Sequence, residues 1–168
     1  MSKGNFEVSL PKPYLCGEIY AEVYEVGGAK PAAIIRADQE WGVKIHWDLE
    51  GSLAPFICGE WCIHLRLESM GPGLEIILDA PRRIPLDPCG RGEYYCDFRV
   101  KRGKITSAHC SIPYKPVVTV TYYNACHRPG PIAGFVELPI LPFYEADGKP
   151  EYGGNGRLES EAAREFAP

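Results

Sequence analysis

The stretch Trp41-Gly42-Val43-Lys44-Ile45-His46-Trp47-Asp48-Leu49 puts an apolar residue at every odd position. Lys44, His46 and Asp48 stand between them. Strict period-two alternation is the pattern of a pleated strand with one face on a core and the other on solvent. Trp61–Ser69 repeats it, with Trp61, Ile63, Leu65 and Leu67 inward and Cys62, His64, Arg66 and Glu68 outward. Glu50–Glu60 joins the two and carries Gly51, Pro55 and Gly59. Two such strands in succession predict a sheet protein.

Working outward, Glu18–Val26 also alternates, Pro31–Ala37 is a short apolar run, and Leu74–Leu78 reads as a short buried strand after the Met70–Gly73 turn. Asp79–Gly92 holds three prolines and reads as a surface loop. Glu93–Lys101 reads as a strand, Lys101–Lys104 as its hairpin turn and Lys104–Ser111 as the returning partner. Pro116–Asn124 is rich in β-branched and aromatic residues, which favour strands. Ile132–Tyr144 is apolar but carries Pro139 and Pro142, which suit an edge or bulge.

Composition agrees with this reading. Gly 18 and Pro 16 in 168 residues exceed their usual combined share of about 12% and exclude a helical bundle. The predicted fold is an all-β antiparallel sandwich, immunoglobulin-like or a related Greek key. Its predicted layout is a lead over 1–13, a sandwich domain over 14–145, and a flexible tail over 146–168 with a short helix at Arg157–Phe166.

Gly92-Glu93-Tyr94-Tyr95-Cys96 resembles the start of strand F in immunoglobulin-type domains, where a Tyr two residues before a Cys forms the tyrosine corner. The resemblance covers five residues. It implies a corner role for Tyr94 and a core position for Cys96.

A net charge of −4 speaks against nucleic-acid binding, and Arg99–Lys104 reads as a solvated turn. No run approaches the roughly 18 apolar residues of a membrane span. Met1–Leu10 lacks the apolar stretch of a secretory signal, so the expected location is cytoplasmic. The seven cysteines are an odd count and are expected to be mostly free thiols.

No nucleophile elbow, phosphate loop or zinc-protease motif occurs. If Trp41–Leu49 paired with Trp61–Ser69 as a hairpin with Leu49 opposite Trp61, then His46 would face His64 and Asp48 would face Cys62. These four are the metal candidates. The expectation is an outward polar cluster holding no metal, and no cofactor is expected.

The outward tyrosines and the proline-marked apolar edge point to macromolecular contact. Tyr95, Tyr123, Phe135 and Phe143 are the candidate interface residues. The expected function is a non-catalytic binding or structural module with a protein partner or a second copy of itself. The alternative is a small enzyme or ligand carrier with its site at the sandwich mouth or a Cys/His cluster.

Overall fold

The computed structural model describes residues 1–28, 33–78, 80–110 and 112–145. The predicted tail and its helix lie outside the described residues. The first four strands are β1 (Ser2–Lys3), β2 (Asn5–Val8), β3 (Ile19–Glu25) and β4 (Ile35–Arg36). They are followed by β5 (Trp41–Asp48), β6 (Gly59–Ser69), β7 (Ile76–Ile77) and β8 (Arg82–Pro85). The last four are β9 (Glu93–Val100), β10 (Tyr114–Asn124), β11 (Pro129–Glu137) and β12 (Phe143–Tyr144). Helical structure among the described residues is confined to a 3-10 turn at Ala54–Phe56 and a single turn, α1, at Ser107–Cys110.

One sheet has the order β1-β3-β5-β9. The second has the order β2-β11-β10-β6, with β7 and β8 both on the far edge of β6. All pairings within both sheets are antiparallel. A parallel β4–β12 pair stands apart from them. The chain crosses between the sheets from β5 to β6, returns from β8 to β9, and crosses again from β9 to β10. That places β9 beside β5 and β10 beside β6, a Greek-key sandwich.

The alternation read in the sequence decides which side chains meet. Trp41, Val43, Ile45 and Trp47 of β5 and Trp61, Ile63, Leu65 and Leu67 of β6 are all buried. Trp47 and Trp61 meet edge to face, 6.1 Å apart at 87°. Tyr94 packs on both, at 5.7 Å from each. Each such aromatic pair contributes roughly 0.5–1.5 kcal/mol beyond the area it buries.

Several expectations are corrected. The lead over 1–13 contributes strands: β1 pairs with β3 and β2 pairs with β11, and Phe6 sets its ring 6.1 Å from Trp61. The Asp79–Gly92 loop contains β8, which pairs with β6, and it buries Leu86. Leu74–Leu78 is not a buried strand, since Leu74 is 87% exposed and only Ile76–Ile77 pairs.

The resemblance at Gly92–Cys96 holds for Cys96, which is buried, but not for the strand's place. Strand F lies within the C-F-G sheet of an immunoglobulin domain. Here β9 is an outermost strand, and β10, flanked by β6 and β11, takes the inner place. The Tyr94 hydroxyl makes no corner hydrogen bond among the described residues; its ring stacks on Trp47 instead.

The returning strand predicted at Lys104–Ser111 does not form. Ile105 turns into the core. The N–H of Thr106 donates to His109 Nδ1 at 3.0 Å, and the N–H of His109 donates to the carbonyl of Thr106 at 2.8 Å. These local bonds close a helical turn, and the chain continues into β10 of the other sheet.

Candidate functional site

The proposed His46–Asp48–Cys62–His64 cluster is taken apart by the crossover. Because Trp47 and Trp61 meet in the core, the residues alternating with them point away on opposite sides of the sandwich. His46 and Asp48 lie on the outside of the four-stranded sheet, and Cys62 and His64 on the outside of the other. Facing sheets are about 10 Å apart before any outward side chain is counted. Among the described residues no three His, Cys, Asp or Glu side chains are placed to hold a metal ion.

Each half has its own chemistry. Cys62 Sγ lies 3.5 Å from His64 Nε2. Burial pushes the Cys62 thiol up. Burial, then Arg66 and Arg83, hold His64 below the ordinary imidazole value. Both shifts favour neutral forms, whereas a nucleophilic cysteine needs a stabilised thiolate. The contact is therefore a neutral pair. Beside it, Arg83 bridges to Glu60, which His127 also approaches at 3.1 Å, and together they hold the Glu60 carboxyl below its ordinary range.

On the other face, Tyr20, His46 and Tyr95 stand directly opposite one another across β3, β5 and β9. The imidazole stacks at 4.6 Å from Tyr95 and 6.3 Å from Tyr20. Tyr20 donates to the Glu18 carboxylate, which also takes Lys3 at 2.5 Å. The N–H of Glu18 donates to Asp48 at 2.8 Å. Nearby, Tyr24 donates to Asp97 at 2.6 Å. Burial, then that carboxylate, push the Tyr24 hydroxyl up to about 12.

The interface candidates do not form one surface: Tyr123 and Phe135 lie on the outer face of the larger sheet, Tyr95 on the other sheet and Phe143 in the core. Tyr95 is 65% exposed on the β9 side. Tyr123 is half-buried under the Arg83 guanidinium, 4.7 Å from its ring. Phe135 is 40% exposed on the outside of the larger sheet. Phe143 is a correction: it is 2% exposed and packs between Trp41 and Tyr114, at 5.6 and 6.0 Å. Residues after Pro142 turn back to pair with β4, and that pairing folds the ring inward.

Sequence reasoning missed the free edge of β9. Among the described residues this eight-residue strand pairs only with β5. The N–H of Leu49 donates to the carbonyl of Gly92, so alternation assigns Tyr94, Cys96, Phe98 and Val100 to the β5 ladder. The backbone groups of Glu93, Tyr95, Asp97 and Arg99 therefore point away from the sheet. The predicted hairpin partner would have covered them. The signal was present in the alternating side chains Glu93, Tyr95, Asp97 and Arg99, since charge on a strand often marks an edge.

At one end of the sandwich a cavity of about 260 Å³ is lined by Leu49, Glu50, Ala54, Asp87, Arg91 and Tyr94, among others.

No family model matches the chain, and no curated protein matches it. Among solved structures it is similar to the soluble domain of PmoD from Methylocystis sp. ATCC 49242 (Rockwell). The TM-score is 0.39 and the identity 9%, over 80% of this chain and 96% of that one. A likeness that distant carries no argument about function. No helix among the described residues is long and apolar enough to cross a membrane.

Proposed function

We propose that the chain is a non-catalytic, cytoplasmic protein-binding module that takes an added strand on the free edge of β9. The observation that carries this is the edge itself: eight residues with no proline, no bulge and no covering element among those described. Strand addition draws affinity from main-chain hydrogen bonds and specificity from alternate side chains. Tyr95, held upright by the His46 stack, supplies a rigid aromatic contact beside that backbone.

Peptides selected from a random library against the folded chain should lose binding in Asp97→Pro. That change removes an outward N–H without touching the β5 ladder. They should keep binding in Asp97→Asn, which retains the N–H and an acceptor for Tyr24. A single cooperative melting transition in each shows that both variants fold. Hydrogen exchange in dilute solution should be fast at residues 93, 95, 97 and 99 and slow at 94, 96, 98 and 100. Protected edge amides in the monomer, or peptides indifferent to Asp97→Pro, overturn the reading.

The mouth cavity favours a second reading, a small-ligand carrier. Its 260 Å³ lies below the roughly 300–1,000 Å³ usual for ligand pockets. A small molecule retained in native mass spectrometry and displaced by Arg91→Ala would promote it.

A further inference from the structure

We propose that the strand added to β9 is β9 of a second copy of this chain. The two run antiparallel about a two-fold axis, with Glu93 of each copy opposite Arg99 of the other. This rests on the binding reading above and names its partner.

A strand that pairs with itself must place its outward-bonding residues opposite each other, so odd positions face odd positions. Few registers remain, and side-chain charge separates them. With Cys96 on the axis, seven of the eight residues overlap, Glu93 meets Arg99 twice, and Tyr95 meets Asp97. With Tyr95 on the axis, Glu93 meets Asp97 and only five strand residues overlap. With Asp97 on the axis, two carboxylates meet. Placing Phe98 on the axis leaves only five strand residues in overlap. Opposite charges across a strand pair stabilise it, and like charges oppose it. Within the strand, the first register alone combines long overlap with no like-charge pair.

The existing contacts fit that seam. Tyr95 is already stacked on His46, and Asp97 is already held by Tyr24. Little order is left to impose on those two side chains. On the inner side the Arg82 guanidinium lies 4.8 Å from the Phe98 ring. It closes that flank, so a second copy gains the backbone edge and the outward side chains and little core. Such a seam falls below the area of standard stable interfaces, and the dimer is weak and concentration-dependent.

The test is sedimentation of the full chain from about 1 µM to about 1 mM, a range that spans weak affinities. The parent should shift from monomer to dimer across it. Arg99→Glu and Glu93→Arg should each weaken association at least tenfold, by setting like charges face to face. The double exchange should restore it to within about threefold, because the reversed pairs again oppose. A parent that stays monomeric throughout, or single exchanges without effect, overturns the second-copy assignment. So does a double variant no better than the singles. If library peptides still require the β9 edge in such a monomer, the binding reading stands and only the partner is wrong. If the edge amides are protected in the dilute monomer, both readings fall.

Discussion

Phe143 and Phe135 are eight positions apart in one apolar, proline-marked segment, and sequence reasoning treated them alike. The structure buries one between Trp41 and Tyr114 and leaves the other on a sheet face. Phe143→Ala should cost about 3–5 kcal/mol, as for a large aromatic removed from a packed core. Phe135→Ala should cost about 1 kcal/mol or less. Urea denaturation of the two variants measures both, and equal losses would contradict the packing. His64 offers a second check. Burial and two arginines lower its folded pKa, so as pH falls the unfolded chain takes up the proton first. Stability is full above the ordinary imidazole value of about 6.5 and declines below it, toward the folded value. Melting temperatures from about pH 7 to about pH 5 should therefore fall less steeply in His64→Gln than in the parent. Parallel slopes would refute the assignment.

Among elements, the seam between β6 and β10 depends on Gly59, whose φ is +143° and whose added Cβ would meet the Tyr123 carbonyl oxygen at 2.1 Å. Backbone strain of this kind costs about 1–3 kcal/mol, and the clash with main chain adds to it. Gly59→Ala should destabilise the domain by at least about 2 kcal/mol in equilibrium unfolding. The long strands β5, β6, β9 and β10 were legible because each carries its own period-two pattern. β1, β2 and β8 were not, since short exposed strands are made by their partners and show little alternation. The error at Lys104–Ser111 has the same origin. A strand-like run with a preceding turn forms no hairpin when the Thr106–His109 bonds close a helical turn and Ile105 is drawn into the core. That departure is what leaves β9 uncovered among the described residues.

Across the whole molecule the seven cysteines are unbridged, with Cys58, Cys89 and Cys126 exposed and the rest wholly or partly covered. Thiol titration without reductant should find those three reacting quickly in the folded chain and all seven after unfolding. Burial raises the Cys62, Cys96 and Cys110 thiols, which slows them further. Two or more missing thiols would contradict the arrangement and count against the proposed cytoplasmic location. Sequence by itself determined the all-β class and the inward set Trp41, Val43, Ile45, Trp47, Trp61, Ile63, Leu65 and Leu67. Alternation is a local property of the pleat, which any short segment displays. Only the tertiary structure decided which strand lies beside which. The hairpin supposed for β5 and β6 obeyed every local rule, yet the chain crosses to the second sheet between them and Trp47 meets Trp61 across the sandwich. That crossover split the His46–His64 cluster, and the helical turn at Thr106–His109 left the β9 backbone open among the described residues. Pairing is a long-range outcome of core packing, and residues on one strand carry no record of their neighbour.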